Sequence, residues 1–181
     1  MYADRITNSM QKTMDETTGI TNKDYEIIVH LVDPSEKRDI KLKSGKFWSE
    51  KAQIGFYESK YQSTKNFSMM LMLIRAIQNS KTKFEYFKKL ASKLDRGLLF
   101  LETIEQCDSL PYPSVHSKNK ESDYNLEQFK EGKIPILSSI GQLKAGITFK
   151  NLNTCIILHC YSSNNKAIQK IGRALNYVEG E

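Results

Sequence analysis

The feature that most constrains this chain lies near its C-terminal end. Thr154-Cys155-Ile156-Ile157-Leu158-His159 is a short apolar, β-branched run. Ser162-Ser163-Asn164-Asn165 follows as a polar turn, and the next segment has helical spacing. A short apolar run closed by a turn reads as a buried strand. Ile168, Ile171 and Leu175 fall at i, i+3 and i+7 and form one apolar stripe, so the segment is a strand, a loop and a helix: an α/β unit. Gly172 leaves room for close approach to that helix. Gln169 and Arg173 are four residues apart and sit together off the stripe, an amide beside a guanidinium, a pairing that can address a phosphate.

The same alternation recurs upstream. Asp95-Arg96-Gly97 interrupts a helix and opens the strand Leu98-Leu99-Phe100-Leu101. Thr103-x-x-Gln106 is a capping-box pattern, which predicts Thr103 at a strand end and a helix mouth, where a hydroxyl and backbone amides can hold an anion. Pro111-Tyr112-Pro113 forces an extended path into Ser114-Val115-His116-Ser117. Asn125 is expected to cap a helix over 126–131, with Phe129 in the core and Gly132 ending it. Ile134-Pro135-Ile136-Leu137 reads as a further strand with Ser138 and Ser139 at its carboxyl end, the edge at which open α/β sheets bind ligands. Those hydroxyls, Gly141 and Lys144 form an expected cradle for a nucleic-acid strand.

The first half is less regular. Residues 1–24 are polar and aperiodic, an expected arm or tether ahead of a domain over 25–181. Residues 25–32 are a strand candidate closed by Asp33-Pro34-Ser35, and Ile40, Leu42, Phe47 and Trp48 punctuate a lysine-rich stretch read as a short strand or loop. From Phe67, the residues Met70, Leu71, Ile74 and Ile77 follow a helical period while Met69, Met72 and Leu73 fill the other side, which predicts a largely buried helix with methionines as adaptable core. Thr82-x-x-Glu85 is a second capping-box pattern. The helix it opens has Phe84, Phe87, Ala91 and Leu94 on its apolar face and Lys88, Lys89 and Lys93 toward water. Short connections between alternating elements predict a mostly parallel sheet with helices on both faces.

With 181 residues, 39% hydrophobic and 27% charged, the chain is expected to form one domain with at most an appendage. No window reaches the roughly 18 apolar residues of a membrane span. The N-terminus Met-Tyr-Ala-Asp-Arg lacks a signal core, so a cytoplasmic location is expected. Cys107, Cys155 and Cys160 give neither a disulfide framework nor a zinc pattern, and no metal site is expected from them. The formal charge of +6 favours a polyanionic partner.

Taken in order, the segments resemble superfamily-two helicases. Leu98–Gln106 is similar to motif IV, Ile136–Thr148 to motif V, and Gln169-Lys170-Ile171-Gly172-Arg173-Ala174-Leu175-Asn176 to motif VI. His116-Ser117 and Phe129-Lys130-Glu131-Gly132 stand where the family has its His-Ser pair and its Phe-x-x-Gly. The likeness runs from about Phe67 to Asn176 and is nearest in flavour to the phage UvsW-type DNA repair and recombination helicases. It implies the second, three-layer RecA-like domain of an ATP-dependent motor acting in a bacterial or phage-infected cell. Arg173 and Gln169 would serve catalysis, and Gly146, Thr148, Gln169 and Arg173 would face the nucleotide. Thr103, His116, Ser117, Ser138, Ser139 and Lys144 would face nucleic acid, with DNA favoured over RNA. Two departures stand out: Thr148 replaces a common acidic residue, and Asn176 stands where a second arginine is frequent.

Two decoys fail on chemistry. Gly141-x-x-x-x-Gly146 has P-loop glycine spacing, but Ile147-Thr148 replaces the Lys-Ser/Thr pair that holds phosphate and magnesium. Asp15-Glu16 follows no apolar strand. ATP and Mg2+ would therefore be held mainly by a first RecA-like domain, in cis or trans, and these 181 residues alone are expected to be inactive. The competing expectation is a stand-alone, non-catalytic module that binds nucleic acid or regulates another motor.

Overall fold

The computed structural model describes residues 26–140, 149, 152 and 154–159. The chain divides into two compact units, Val32–Phe87 and the remainder.

In Val32–Phe87, β1 (Arg38–Lys41) and β2 (Phe47–Ser49) pair antiparallel with Lys41 opposite Phe47 and Ile40 opposite Trp48. The Leu42 amide donates to the Lys46 carbonyl at 2.8 Å, and the Gly45 amide donates to Leu42 at 2.9 Å. Gly45 has φ +81°, the left-handed position that a three-residue hairpin loop requires. Ser49 ends β2 and caps α1 (Glu50–Thr64), its hydroxyl accepting from the Ala52 amide at 3.1 Å. Lys65, at φ 50°, ends α1. Asn66 then caps α2 (Phe67–Gln78), and the two helices pack together.

Three expectations are corrected in this unit and just before it. No strand forms over 26–32; exposure alternates only over 26–30, and no ladder is formed. Helix α2 forms over the expected residues yet buries none of them, with Phe67 65% and Met72 41% exposed. The third correction concerns α3 (Lys81–Ala91), which starts at Lys81, so that Thr82 of the Thr82-x-x-Glu85 pattern lies inside the helix and not at its cap. Ser80 accepts from the Lys83 amide at 3.2 Å, and the carboxylate comes from Glu50 instead of Glu85. Glu50 is 5% exposed and accepts from the amides of Lys81 (2.6 Å), Thr82 (3.2 Å) and Ser35 (3.3 Å) and from the Ser80 hydroxyl (3.0 Å). A carboxylate at the positive end of a helix, with four donors, satisfies orphan amides that water would otherwise serve. Burial pushes its pKa up, but the hydrogen bonds from Thr82, Ser35 and Ser80 outweigh that and hold it below the ordinary glutamate value.

The second unit carries the sheet. Its described elements are β3 (Gly97–Leu101), α4 (Ile104–Asp108), β4 (Ser114–Val115), α5 (Ser122–Lys130), β5 (Ile136–Ile140) and β6 (Cys155–Ile157). All four strands are parallel in the order β4-β5-β3-β6. Every residue of β3 is buried, the pattern of a parallel strand covered on both faces. On one face Leu98, Phe100 and Leu137 pack with Leu126 and Phe129 of α5 and with Phe149. On the other, Cys107 of α4 meets Ser138. Helices thus cover both faces, and the α/β class expected from the sequence is the one observed.

Arg96, just ahead of β3, ties the returning chain down. Its guanidinium donates to the carbonyls of Phe129 (2.8 Å) and Ile134 (3.2 Å) and lies 4.6 Å from the Phe129 ring centre. It completes the end of α5 where Gly132, at φ +77°, turns the chain. Asn125 is not a cap: the helix begins at Ser122, and the buried Asn125 amide donates to the Ser114 carbonyl at 3.0 Å. Asp95-Arg96-Gly97 does open β3, and Phe129 is fully buried, as the sequence predicts.

Candidate functional site

Parallel strands bring their carboxyl ends to one edge. Leu101 of β3 is in register with Ile140 of β5, and Val115 of β4 with Ser139, so His116 stands level with Leu101 and Ile140. Glu102 and Thr103 follow β3 at the same edge. The Thr103 hydroxyl accepts from the Gln106 amide at 3.2 Å, and the Gln106 side chain accepts from the amides of Thr103 and Glu102, each at 3.2 Å. This is the capping box the sequence predicts. The cap uses a lone pair of the hydroxyl and leaves its O–H able to donate to an oxygen at the edge.

His116 is fixed more tightly than a surface histidine would be. Its ring is 5% exposed, and Nε2 lies 2.9 Å from Asp108 Oδ1 at the end of α4. An ionised carboxylate can only accept, so Nε2 carries the hydrogen. Nδ1 is buried without a hydrogen-bond partner. The His116 amide donates to the Ser122 hydroxyl at 3.1 Å, and that hydroxyl donates back to the His116 carbonyl at 2.9 Å. Asn119 donates to the Ser114 carbonyl at 2.8 Å and accepts from the Glu121 amide at 2.9 Å, which fixes the turn between β4 and α5. Ser117 is exposed.

Ser138 and Ser139 depart from expectation. The β3 register carries β5 through both residues to Ile140, so they lie within the strand rather than beyond its carboxyl end. Both are buried, at 0% and 1% exposure, on opposite faces. Ser138 accepts from the Cys107 thiol at 3.2 Å and donates to the Pro113 carbonyl at 3.2 Å, so its hydroxyl is engaged inside the fold. Ser139 Oγ has no hydrogen-bond partner. Burial, with a smaller contribution from nearby Asp108, pushes the Cys107 thiol up in pKa despite the Ser138 hydrogen bond, so it is an interior thiol rather than a nucleophile.

The structure thus brings Thr103 and His116 to one edge, with Ser117 next to His116, and sets Ser138 and Ser139 one step behind. Gly141, Lys144, Gly146, Thr148, Gln169 and Arg173, together with the 1–24 arm, lie outside the described residues. Sequence reasoning missed Asp108, Asn119, Ser122 and Arg96. Asn119 and Ser122 carried a readable signal, since short polar side chains three apart ahead of an apolar-spaced segment mark a turn entering a helix. Among the described residues, no helix is long and apolar enough to cross a membrane, and no cluster of three His, Cys, Asp or Glu could hold a metal ion.

The chain is 28% identical over 176 residues to the ATP-dependent RNA helicase dbp2 of Neurospora crassa, and 28% identical to DBP2 of Chaetomium thermophilum. In each case the match spans 96% of this chain and 26% of the relative, so the chain covers about a quarter of the length of these relatives. Among solved structures, the helicase domain of Pyrococcus furiosus Hef aligns over 66% of this chain and 31% of its own, at 13% identity and a TM-score of 0.39. Residues 66–177, well over half of the chain, match the family described as Helicase conserved C-terminal domain, and the chain belongs to that family.

Proposed function

We propose that this chain acts as the second RecA-like half of an ATP-dependent superfamily-two helicase or translocase. The observation that carries this reading is the parallel register that sets Thr103 and His116 at one carboxyl edge of a helicase-family sheet. At that edge the Thr103 hydroxyl, still able to donate, and the exposed Ser117 are assigned to the nucleic-acid backbone, with Lys144 as a further cation. Such contacts hold a strand without reading its bases. His116 is assigned a supporting role: its Nε2–H donates to the Asp108 carboxylate, so the ring braces the edge. Of the serine pair, Ser139 keeps unused hydrogen-bonding capacity, whereas Ser138 is engaged by Cys107 and Pro113.

Gln169 and Arg173, with Gly146 and Thr148, are assigned to the nucleotide. The 181 residues contain no Gly-x-x-x-x-Gly-Lys-Ser/Thr sequence, so a P-loop-bearing RecA-like partner, in cis or trans, is assigned the ATP phosphates and Mg2+. Arg173 then stabilises charge developing on the transferring phosphoryl group, a role whose loss costs about three to five orders of magnitude in rate. The likeness to phage recombination helicases favours DNA as the strand, while the fungal relatives are named as RNA helicases.

The test is to mix the chain with a P-loop-bearing RecA-like partner and measure ATP hydrolysis with single-stranded DNA and with RNA. Stimulated turnover that is lost in Arg173→Ala is expected. Turnover that survives Arg173→Ala would remove the nucleotide assignment, and stimulation by RNA alone would remove the preference for DNA.

A further inference from the structure

The β1–β2 hairpin precedes residues 66–177, the part of the chain that the helicase C-terminal family model matches. Its composition is uneven. Residues 36–48 carry five cations, Lys37, Arg38, Lys41, Lys43 and Lys46, against two acids, Glu36 and Asp39. Both acids are engaged by lysines from outside the hairpin: Glu36 by Lys51 at 2.6 Å and Asp39 by Lys81 at 3.7 Å. The positive charge of the hairpin is therefore not cancelled by its own acids. Lys41, Lys43 and Lys46 are exposed around the open turn at Gly45.

The aromatic residues of β2 divide between the two faces of the ribbon. Trp48 and Ile40 share one face, and Trp48 packs edge-on against Phe56 of α1 with ring centres 5.1 Å apart. Phe47 and Lys41 share the other, and Phe47 is 51% exposed. Half of Phe47 is therefore open to water on that face. Beside three exposed lysines it has the composition of a surface on which a base stacks while cations follow the phosphates.

We propose that the open end of the hairpin, with Phe47 and Lys41 on one face and Lys43 and Lys46 at the turn, binds single-stranded nucleic acid through a unit of the chain other than the one that carries the sheet. The proposal rests on the reading of the chain as a nucleic-acid motor domain. It commits to a single strand because a ring on a hairpin can stack only on a base that is not already stacked in a duplex. The lysines supply affinity that falls with salt, and Phe47 supplies a part that salt leaves largely untouched.

The experiment uses the whole chain and fluorescence anisotropy with an oligothymidylate of about fifteen nucleotides, near the upper end of single-domain site sizes, across a salt series. Lys41→Ala/Lys43→Ala/Lys46→Ala should reduce affinity at low salt at least tenfold and flatten the slope of log affinity against log salt by about 2, near 0.7 for each phosphate no longer neutralised. Phe47→Ser should weaken binding about tenfold with the slope unchanged. All four side chains are exposed, so unchanged circular dichroism is expected, and the charge-restoring Lys41→Arg/Lys43→Arg/Lys46→Arg variant should recover the slope. Wild-type binding that neither set of variants alters would overturn the hairpin surface and leave the sheet edge standing. No binding by the wild type at low salt would overturn both. Capture on polyglutamate but not on the oligonucleotide would overturn this proposal in favour of an acidic protein partner.

Discussion

The two units hold themselves together by opposite means. In the sheet unit most of the described buried positions are apolar, with Leu98, Leu99, Phe100, Leu101, Phe129 and Leu137 at most 1% exposed and the polar exceptions being Ser114, Asn125, Ser138 and Ser139. In Val32–Phe87 the described residues in the buried class are Ser49, Glu50, Ser80 and Phe87, three of them polar. Burial of apolar area is non-directional and tolerates small shifts, whereas a carboxylate with four donors requires its partners in place. The sheet unit is therefore specified by pattern and the other by particular hydrogen bonds. That difference makes one legible in a sequence and the other not.

The comparison breaks most readily at Phe129. Its ring is fully buried, 5.1 Å from that of Phe149 and under the Arg96 guanidinium. Phe129→Ala should cost about 3–5 kcal/mol, a loss of transfer energy plus a cavity, read as a lowered urea midpoint. A cost below about 1 kcal/mol would mean that the sheet unit is not held by its apolar core.

Glu50→Gln tests the other side. It should cost about 1–3 kcal/mol, because amides and a hydroxyl that serve a charged acceptor lose it. The pH dependence sharpens the test. The folded-state pKa of Glu50 lies below its unfolded value, so its contribution is complete above the unfolded value and is lost as pH falls through the folded one. The stability gap between wild type and Glu50→Gln should therefore stay level at neutral pH and narrow in acid. A gap that widened on acidification would reverse the assignment.

The smallest effect is expected at Leu71, which lies on α2 and is 37% exposed. Leu71→Gln should change stability by less than about 0.5 kcal/mol in thermal melts. A penalty approaching that of Phe129→Ala would show that the α2 surface is covered in solution.

What could be read in advance follows the same division. The strand at Leu98–Leu101, the cap at Thr103 and the core position of Phe129 were legible because each is written in contiguous residues. The Thr82 pattern misled because its carboxylate arrives from Glu50, more than thirty residues away, and local spacing carries no trace of it. Helix α1 was missed because its apolar residues follow no helical period, and only Ser49 ahead of Glu50 marked its start. Ser138 and Ser139 were placed one step too far along because a strand's end is set by its neighbour's length, and the pairing of β5 with β3 is a tertiary fact. Asn125 has cap chemistry but spends it on Ser114, across the turn from β4.

The strand order also bears on how this sheet assembles. β3 pairs not with β4, the next strand in the chain, but with β5, so joining Gly97 to Ile136 means closing a loop on the order of forty residues before the ladder returns any energy. Arg96 closes nearly the same loop, since its guanidinium reaches Phe129 and Ile134 just ahead of β5. The residue that completes the end of α5 is thus also a latch on this long-range pairing of β3 with β5. Its weight should fall on the rate of refolding rather than of unfolding, which stopped-flow comparison of wild type with Arg96→Lys would read directly.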